Sequence, residues 1–168
     1  VVAQMRVIGV GSLFLVVVSS VFIGLVFTFQ MYEILLRFSG LSQLSSVVSF
    51  GIFRELSPVV TGLLIAGRVG SSVAAEIAQM KQNEQLDCLA MWGINPFPYL
   101  MFPRFFAGLL MVPVLVLVFD AVSIYASWFY AVMLRGMESE LFWNPLAHGS
   151  VLFNVDVLYG VYKGLFFG

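Results

Sequence analysis

The chain has 168 residues, of which 61% are hydrophobic and 10% are charged, and its mean hydropathy is +1.01. Soluble domains usually carry about 25% charged residues, and a folded soluble chain of this size cannot hide so much apolar surface from water. The composition therefore predicts an integral membrane protein. A net charge of −1 argues against nucleic-acid binding, and one cysteine with one histidine excludes an intramolecular disulfide and a conventional zinc site.

Charged residues divide the chain into apolar runs of the length that crosses a bilayer, about 20 residues for a helix. In chain order, the predicted spans are residues 7–32, 44–67, 104–134 and 157–168. This pattern predicts an all-α fold, a polytopic transmembrane helical bundle that forms a single domain over residues 1–168. The chain opens without a methionine and stops inside an apolar run, so we expect it to be truncated at both ends.

The connections between the spans differ in character. Residues 68–103 interleave charged and apolar side chains, so this segment is amphipathic and faces water, with Gly93 placed to end a helix. Pro103 suits the first turn of the third span. That span has roughly 30 residues, which leaves two interpretations: one tilted helix, or a helix broken near Pro113. Residues 135–156 read as a polar connection.

The positions of Lys and Arg indicate the orientation in the membrane. With the N-terminus in the cytoplasm, four basic residues (Arg6, Arg68, Lys81 and Arg104) lie inside and two (Arg37 and Arg135) lie outside. The bias favours a cytoplasmic N-terminus.

The stretch from Arg54 to Pro58 places two charges near the centre of the second span. Each charge costs about 2.5–3.5 kcal/mol at that depth, so both need partners. Arg54 and Glu55 are neighbours and point about 100° apart on a helix, so they are poorly placed to neutralise each other. Pro58 has no N–H for the carbonyl of Arg54 and tends to kink the helix. Two interpretations stay open: a polar spot in a translocation cavity, or an interhelical salt bridge that locks the bundle.

Two further patterns follow the charged pair. Small residues recur every four positions along the second span and beyond it, at Gly62, Ala66, Gly70 and Ala74. This spacing lets helix backbones approach closely in lipid, which predicts helix packing and a helix that continues past Gly67. The amphipathic residues 74–92 have two interpretations: an interfacial helix on the membrane, or a helix that docks on a cytoplasmic partner.

The remaining ionisable residues are isolated. Asp120 is expected near the outer interface, and Lys163 near a span end can extend its ammonium to the surface. The sequence contains no phosphate-binding loop and no hydrolase motif, so we assign no catalytic residue and expect a chain that is not an enzyme.

Several short stretches resemble, in the same order, the MlaE/YrbE family of ABC-transporter permeases. These stretches are Arg54 to Val60, Ala66 to Ser71, Ala75 to Ile77, Met80-Lys81, Glu84 to Asp87 and Gly93 to Pro96. The match is nearly gapless over about 50 residues and ends at Pro103-Arg104. Family members usually have Gly where Ser57 stands and often have Gly where Met31 stands, so the match is not complete.

The resemblance implies a membrane subunit that moves phospholipid between the inner and outer membranes and so maintains outer-membrane lipid asymmetry. It implies a multi-pass protein of the bacterial inner membrane that pairs with a second permease copy. Further implied partners are cytoplasmic ATPase subunits, a STAS-domain protein and a periplasmic MCE-domain protein. No cofactor is expected in this chain, because ATP and magnesium would bind to the ATPase.

The resemblance also implies roles for individual residues. The cavity that binds lipid would include Tyr32, Arg54 and Glu55, and Lys163 matches a basic residue of a later span. Residues 76–92 resemble a cytoplasmic coupling helix that meets the ATPase. Its implied contact residues are Glu76, Met80, Lys81, Glu84, Leu86, Asp87, Leu89 and Trp92.

Two other functional classes compete with this one. The first is an ion- or proton-coupled carrier that uses Arg54, Glu55 and Asp120 as a relay. The second is a scaffold that anchors envelope complexes without transporting anything. Dependence on a proton gradient rather than ATP would favour the carrier, and partners that assemble without bound lipid would favour the scaffold.

Overall fold

A long apolar helix opens the chain. The computed structural model describes residues 2–38, 40–91, 93, 96–148 and 150–167. The first helix, α1, extends from Val2 to Arg37 and is roughly 54 Å long at 1.5 Å per residue. The part of α1 that is long and apolar enough to cross a membrane is Ile8–Arg37, which contains nearly all of the predicted span 7–32 and extends five residues beyond it. Arg37 lies in the last turn, where a cation stabilises the helix dipole.

The second span is longer than predicted and contains an irregular turn. A short 3₁₀ turn, Leu41–Gln43, leads into α2, Leu44–Gly51. A π-helical turn, Ile52–Leu56, follows, and α3 continues from Ser57 to Gln82. The region Leu41–Gln82 qualifies as one candidate span. The helix therefore continues past Gly67, as the spacing of the small residues predicted.

The segment predicted as a coupling helix is not one continuous helix. It consists of the end of α3, a turn at Asn83 and Glu84, and the short helix α4, Gln85–Met91. Glu84 has φ = 57°, a left-handed conformation that lets the chain change direction between the two helices. Gly93 has φ = 75° just beyond α4, which matches the helix stop predicted there.

The third span, α5, begins earlier than predicted. It extends from Pro96 to Phe129 and continues as a π-helical turn, Tyr130–Leu134. Pro103 lies inside the helix rather than in its first turn, so that prediction was wrong. Proline is tolerated here because neighbouring helices can satisfy the carbonyl groups that it frees. Pro113 also lies within α5, so of the two interpretations the structure shows a continuous helix, and the candidate span is Leu100–Leu134.

Two helices complete the described chain. The connection predicted for residues 135–156 contains a helix, α6, Ser139–His148, which has only ten residues and so escaped a prediction based on long apolar runs. The last helix, α7, extends from Ser150 to Phe167 and includes residues 157–167 of the predicted fourth span, whose last residue lies outside the described part of the chain. In the described part of the chain, the three helical regions long and apolar enough to cross a membrane are those in α1, in α2–α3 and in α5. The span 157–168 stays a prediction.

The long helices form a bundle with alternating directions. Ser123 and Ser127 of α5 donate hydrogen bonds to the carbonyl groups of Ser20 and Gly24 of α1 (3.2 and 3.4 Å), so these two helices run parallel. Ser57 of α3 donates to the Val116 carbonyl of α5 at 3.3 Å. Because Glu76, farther along α3, pairs with Arg104 near the start of α5, α3 and α5 are antiparallel.

The distribution of side chains is that of a protein in lipid. Serine and threonine hydroxyls lie inside, with Ser20, Thr28, Ser57 and Thr61 fully buried. Large apolar side chains face outward along the same helices, and Phe14 is 78% exposed. Small polar residues at the interfaces allow close approach, while the outer apolar side chains meet the acyl chains. The structure is therefore the all-α membrane bundle that the composition predicted.

The α1–α5 interface should not tolerate a side chain at Gly24. A Cβ atom there would lie 2.6 Å from the carbonyl oxygen of Ser123. We expect Gly24→Val to force the two backbones apart and to lower the free energy of unfolding by roughly 1–3 kcal/mol. Thermal unfolding of the purified protein in detergent measures this loss. Gly67→Ala is the control, because a Cβ atom at Gly67 meets nothing within 4 Å, and it should not destabilise the protein. Equal stability of the two variants would contradict the close approach.

Candidate functional site

The π-helical turn Ile52–Leu56 creates a polar centre beside α7, in which the Glu55 side chain is 63% exposed. Pro58 cannot donate a backbone hydrogen bond to the carbonyl of Arg54. In the structure the Lys163 Nζ of α7 donates to that carbonyl at 2.7 Å. The same ammonium contacts both carboxylate oxygens of Glu55 at 3.1 Å. Lys163 therefore satisfies a carbonyl freed by proline and neutralises the acidic residue of the charged pair.

The guanidinium of Arg54 has a different environment. Its Cζ lies 5.1 Å from the ring centroid of Phe50 and 5.3 Å from that of Tyr159, so the cation is held by two aromatic rings. No carboxylate of a described residue forms a salt bridge with it, because Glu55 pairs with Lys163. The side chain is half-buried, which leaves donors of the guanidinium accessible to a ligand.

The net charge of this centre follows from these contacts. Arg54 and Lys163 each contribute one positive charge, and Glu55 contributes one negative charge. The three side chains together carry a charge of about +1 in a setting with few other charges. The described geometry contains the interhelical salt bridge of one interpretation, and it also leaves one cation uncompensated, as a polar spot in a cavity requires.

Tyr32 lies elsewhere. Its ring is 4.8 Å from the guanidinium carbon of Arg135, at the far ends of α1 and α5. Phe29 and Tyr130 contact the same cation at 5.9 and 5.7 Å. Arg135 also pairs with Glu33 at 2.5 Å, and a hydrogen bond to the Tyr130 hydroxyl raises the pKa of Arg135 above its usual value. This cluster lies roughly 20 Å along the bundle from the Arg54 centre, so the structure does not bring Tyr32 together with Arg54 and Glu55.

Asp120 is a site residue whose environment the sequence did not reveal. It was expected near the outer interface, but it lies close to the middle of the span Leu100–Leu134 and is 3% exposed. It lines a cavity of about 540 Å³ between α5, α6, α7 and the π-helical turn. The expectation failed because an acidic residue within an apolar run shows its position on the helix but not which side faces the protein.

The residues assigned to ATPase coupling lie on both sides of the turn at Glu84. Glu76 pairs with Arg104, which is 8% exposed, and this contact joins the end of α3 to the start of α5. Met80 and Leu86 are half-buried, while Lys81 and Glu84 are exposed. The side chains of Asp87 and Leu89, and all of Trp92, lie outside the described residues. The coupling role of these residues stays a prediction.

Only part of the small-residue stripe Gly62, Ala66, Gly70 and Ala74 packs against other described helices of this chain. Gly62 is buried, but Ala66, Gly70 and Ala74 are exposed. A Cβ atom added at Gly70 would meet nothing within 4 Å. Past Gly62, the stripe therefore presents an open surface of the described chain, and its predicted packing role would need a partner outside it.

Comparison with known proteins identifies the family of this chain. The family model described as "Permease MlaE" matches residues 1–168. The chain belongs to the MlaE permease family. This confirms the resemblance inferred from the stretch between Arg54 and Arg104.

Individual relatives of the MlaE family agree. A protein of Haemophilus influenzae named "Intermembrane phospholipid transport system permease protein MlaE" is 42% identical over 99% of this chain. A "Probable ABC transporter permease protein" of Rickettsia felis is 37% identical over the whole chain, and a "Probable ABC transporter permease protein ycf63" of Porphyra purpurea is 39% identical over 83% of it. The chain spans 63% and 64% of the lengths of the first two relatives and 53% of the third.

The link between Glu55 and Lys163 can be tested by a double-mutant cycle. We expect Lys163→Met to lower the free energy of unfolding by about 1 kcal/mol, because the Glu55 carboxylate and the Arg54 carbonyl both lose a donor. In the double variant Glu55→Gln/Lys163→Met the two losses should not add, leaving a coupling energy of roughly 0.5–1 kcal/mol. Denaturant unfolding of all four proteins in the same detergent measures this coupling. Strictly additive losses would show that the two side chains do not interact.

Proposed function

We propose that this chain forms the membrane-spanning part of an ABC-transporter permease that moves phospholipid between the inner and outer membranes. Its membership of the MlaE family supports the transporter class, and the name of the Haemophilus influenzae relative, an intermembrane phospholipid transport permease, supports phospholipid as the cargo. On this proposal the protein resides in the bacterial inner membrane and helps to maintain the lipid asymmetry of the outer membrane.

The observation that carries the proposal is the Arg54 guanidinium. It is half-buried at mid-span, held between two aromatic rings, and has no carboxylate partner among the described residues. A phosphate group has the charge and the oxygen spacing to accept charge-assisted hydrogen bonds from a guanidinium. The surrounding apolar side chains suit the acyl chains of the same lipid. Glu55, which is bound to Lys163, keeps the net charge of the centre near +1. The lipid phosphate is therefore bound weakly enough to be released again during transport.

ATP hydrolysis would take place on separate subunits. The chain carries no phosphate-binding loop, so we propose that cytoplasmic ATPase subunits bind ATP and magnesium and dock on the turn between α3 and α4. Exposed Lys81 and Glu84 would form the polar rim of this docking surface, with Met80 as an apolar contact. The ion pair between Glu76 and Arg104 would pass a displacement of that turn to α5.

Three further partners are proposed from the exposed small residues of α3 and from membership of the MlaE family. A second permease copy would pack against the exposed small residues Ala66, Gly70 and Ala74, since such residues allow close helix contacts in lipid. A STAS-domain protein on the cytoplasmic side and a periplasmic MCE-domain protein would complete the assembly. Tyr32 would contribute near the outer end of the bundle rather than at the Arg54 centre.

The role of Arg54 can be tested on the transporter purified with its subunits. We expect Arg54→Gln to reduce the co-purifying phospholipid and the ATP-dependent lipid transfer by about tenfold or more, because one charge-assisted contact with phosphate is lost. Lipid extraction with mass spectrometry and a transfer assay between vesicles measure the two quantities. Arg37→Gln, which removes an exposed arginine at the end of α1, should leave both unchanged.

Three results would count against the proposal. Full lipid content and transfer in Arg54→Gln would show that phosphate does not bind there. Loss of subunit assembly in an Arg54→Ala/Glu55→Ala variant would favour a structural role of the charged pair. Transfer that depends on a proton gradient instead of ATP would favour an ion-coupled carrier.

A further inference from the structure

A cavity within this single chain is distinct from the Arg54 centre. Its volume is about 540 Å³, which lies in the range of roughly 300–1,000 Å³ typical of sites for small molecules. Its lining does not include Arg54, Glu55 or Lys163. The lining is almost entirely apolar and aromatic and consists of Phe53, Leu117, Asp120, Ala121, Ile124, Tyr125, Trp143, Leu146 and Val157.

Asp120 is the charged exception in this lining. It is 3% exposed, and neither of its carboxylate oxygens has a hydrogen-bond partner among the described residues. Ser57 lies close enough to act as a donor to Asp120, but its hydroxyl has a single proton, which it also offers to the Val116 carbonyl at 3.3 Å. Buried polar groups in native proteins are almost always hydrogen-bonded, and the need is strongest where no water is available. One serine proton can serve only one of the two carboxyl oxygens, so at least one Asp120 oxygen lacks a donor among the residues that the structure describes.

The close approach of α7 leaves no room on one side of Asp120 for a donor side chain from the described residues of that helix. Gly160 packs so tightly that a Cβ atom there would lie 2.7 Å from the Phe53 carbonyl oxygen and 3.8 Å from Asp120 Oδ2. The α7 backbone thus covers one side of Asp120, and Gly160 contributes no side chain. The side that opens into the cavity is the one from which a donor can reach the carboxyl group.

We propose that this cavity binds a neutral lipid alcohol, a molecule with one aliphatic chain or a fused-ring body and a single hydroxyl group. A hydroxyl can donate to Asp120 whether the carboxyl group is ionised or protonated, and it brings no charge to the centre of the membrane. The apolar lining surrounds the hydrocarbon body, and the volume suits one chain better than a two-chain phospholipid. The inference does not depend on the proposed phospholipid transport, because it concerns binding alone.

Photo-crosslinking on the transporter purified with its subunits tests this site directly. The probe is a 16-carbon alcohol with a diazirine at mid-chain, and its methyl ether is the matched probe without a donor. We expect the alcohol to label α5–α7 residues of the cavity about tenfold more strongly than the ether at equal concentration, as mapped by mass spectrometry. Equal labelling by both probes would overturn the proposal, and so would stronger labelling by the corresponding amine.

Variants of Asp120 separate hydrogen bonding from shape. Asp120→Asn keeps an oxygen acceptor and should retain the preference for the alcohol, whereas Asp120→Leu removes the acceptor and should reduce alcohol labelling about tenfold to the level of the ether. Asp156→Asn is the control, since Asp156 is also buried but does not line the cavity. An undiminished preference in Asp120→Leu would overturn the proposal. If Asp120→Leu does not fold, the comparison of the alcohol with its methyl ether on the unmodified protein still tests the proposal.

Discussion

The contact between the Lys163 ammonium and the carbonyl of Arg54 is the interaction on which the centre of the bundle depends. Pro58 frees that carbonyl in a region without water, and the π-helical turn before it turns Arg54 and Glu55 toward α7. One lysine then satisfies the carbonyl and the Glu55 carboxylate together. Because Glu55 is bound to Lys163, the Arg54 side chain has no acidic partner among the described residues. The proline that frees the Arg54 carbonyl thus leads to a site in which the described residues leave one cation uncompensated.

The packing around this centre relies on small and polar residues rather than large apolar ones. Hydroxyl groups of α5 reach backbone carbonyls of α1, which is possible only where the two backbones are close, as they are at Gly24. Lipid offers no hydrophobic drive for helices to associate, so close van der Waals contact and such hydrogen bonds must hold the bundle together. The same constraint explains why the large apolar side chains face outward and why Asp120 can be enclosed by the close approach of α7.

The sequence predicted the fold well where it depends on local hydropathy, and it predicted the site less well. Apolar runs of 20 or more residues place helices reliably, but α6 has only ten residues and does not stand out in such a search. Pro103 is tolerated inside α5 because tertiary contacts override local preference. The problem created by Pro58 was visible in the sequence, whereas its solution lies 109 residues away in Lys163. The environment of Asp120 depends on helix rotation, which a single apolar run does not reveal.

Helix α5 is pinned by an ion pair near each end, and the two pairs join it to different helices. Arg104 binds Glu76 of α3 at one end, and Arg135 binds Glu33 of α1 at the other, roughly 45 Å away. The end of α3 and the end of α1, which lie at opposite ends of the bundle, are thereby tied to the same helix, so a change at either ion pair acts on α5.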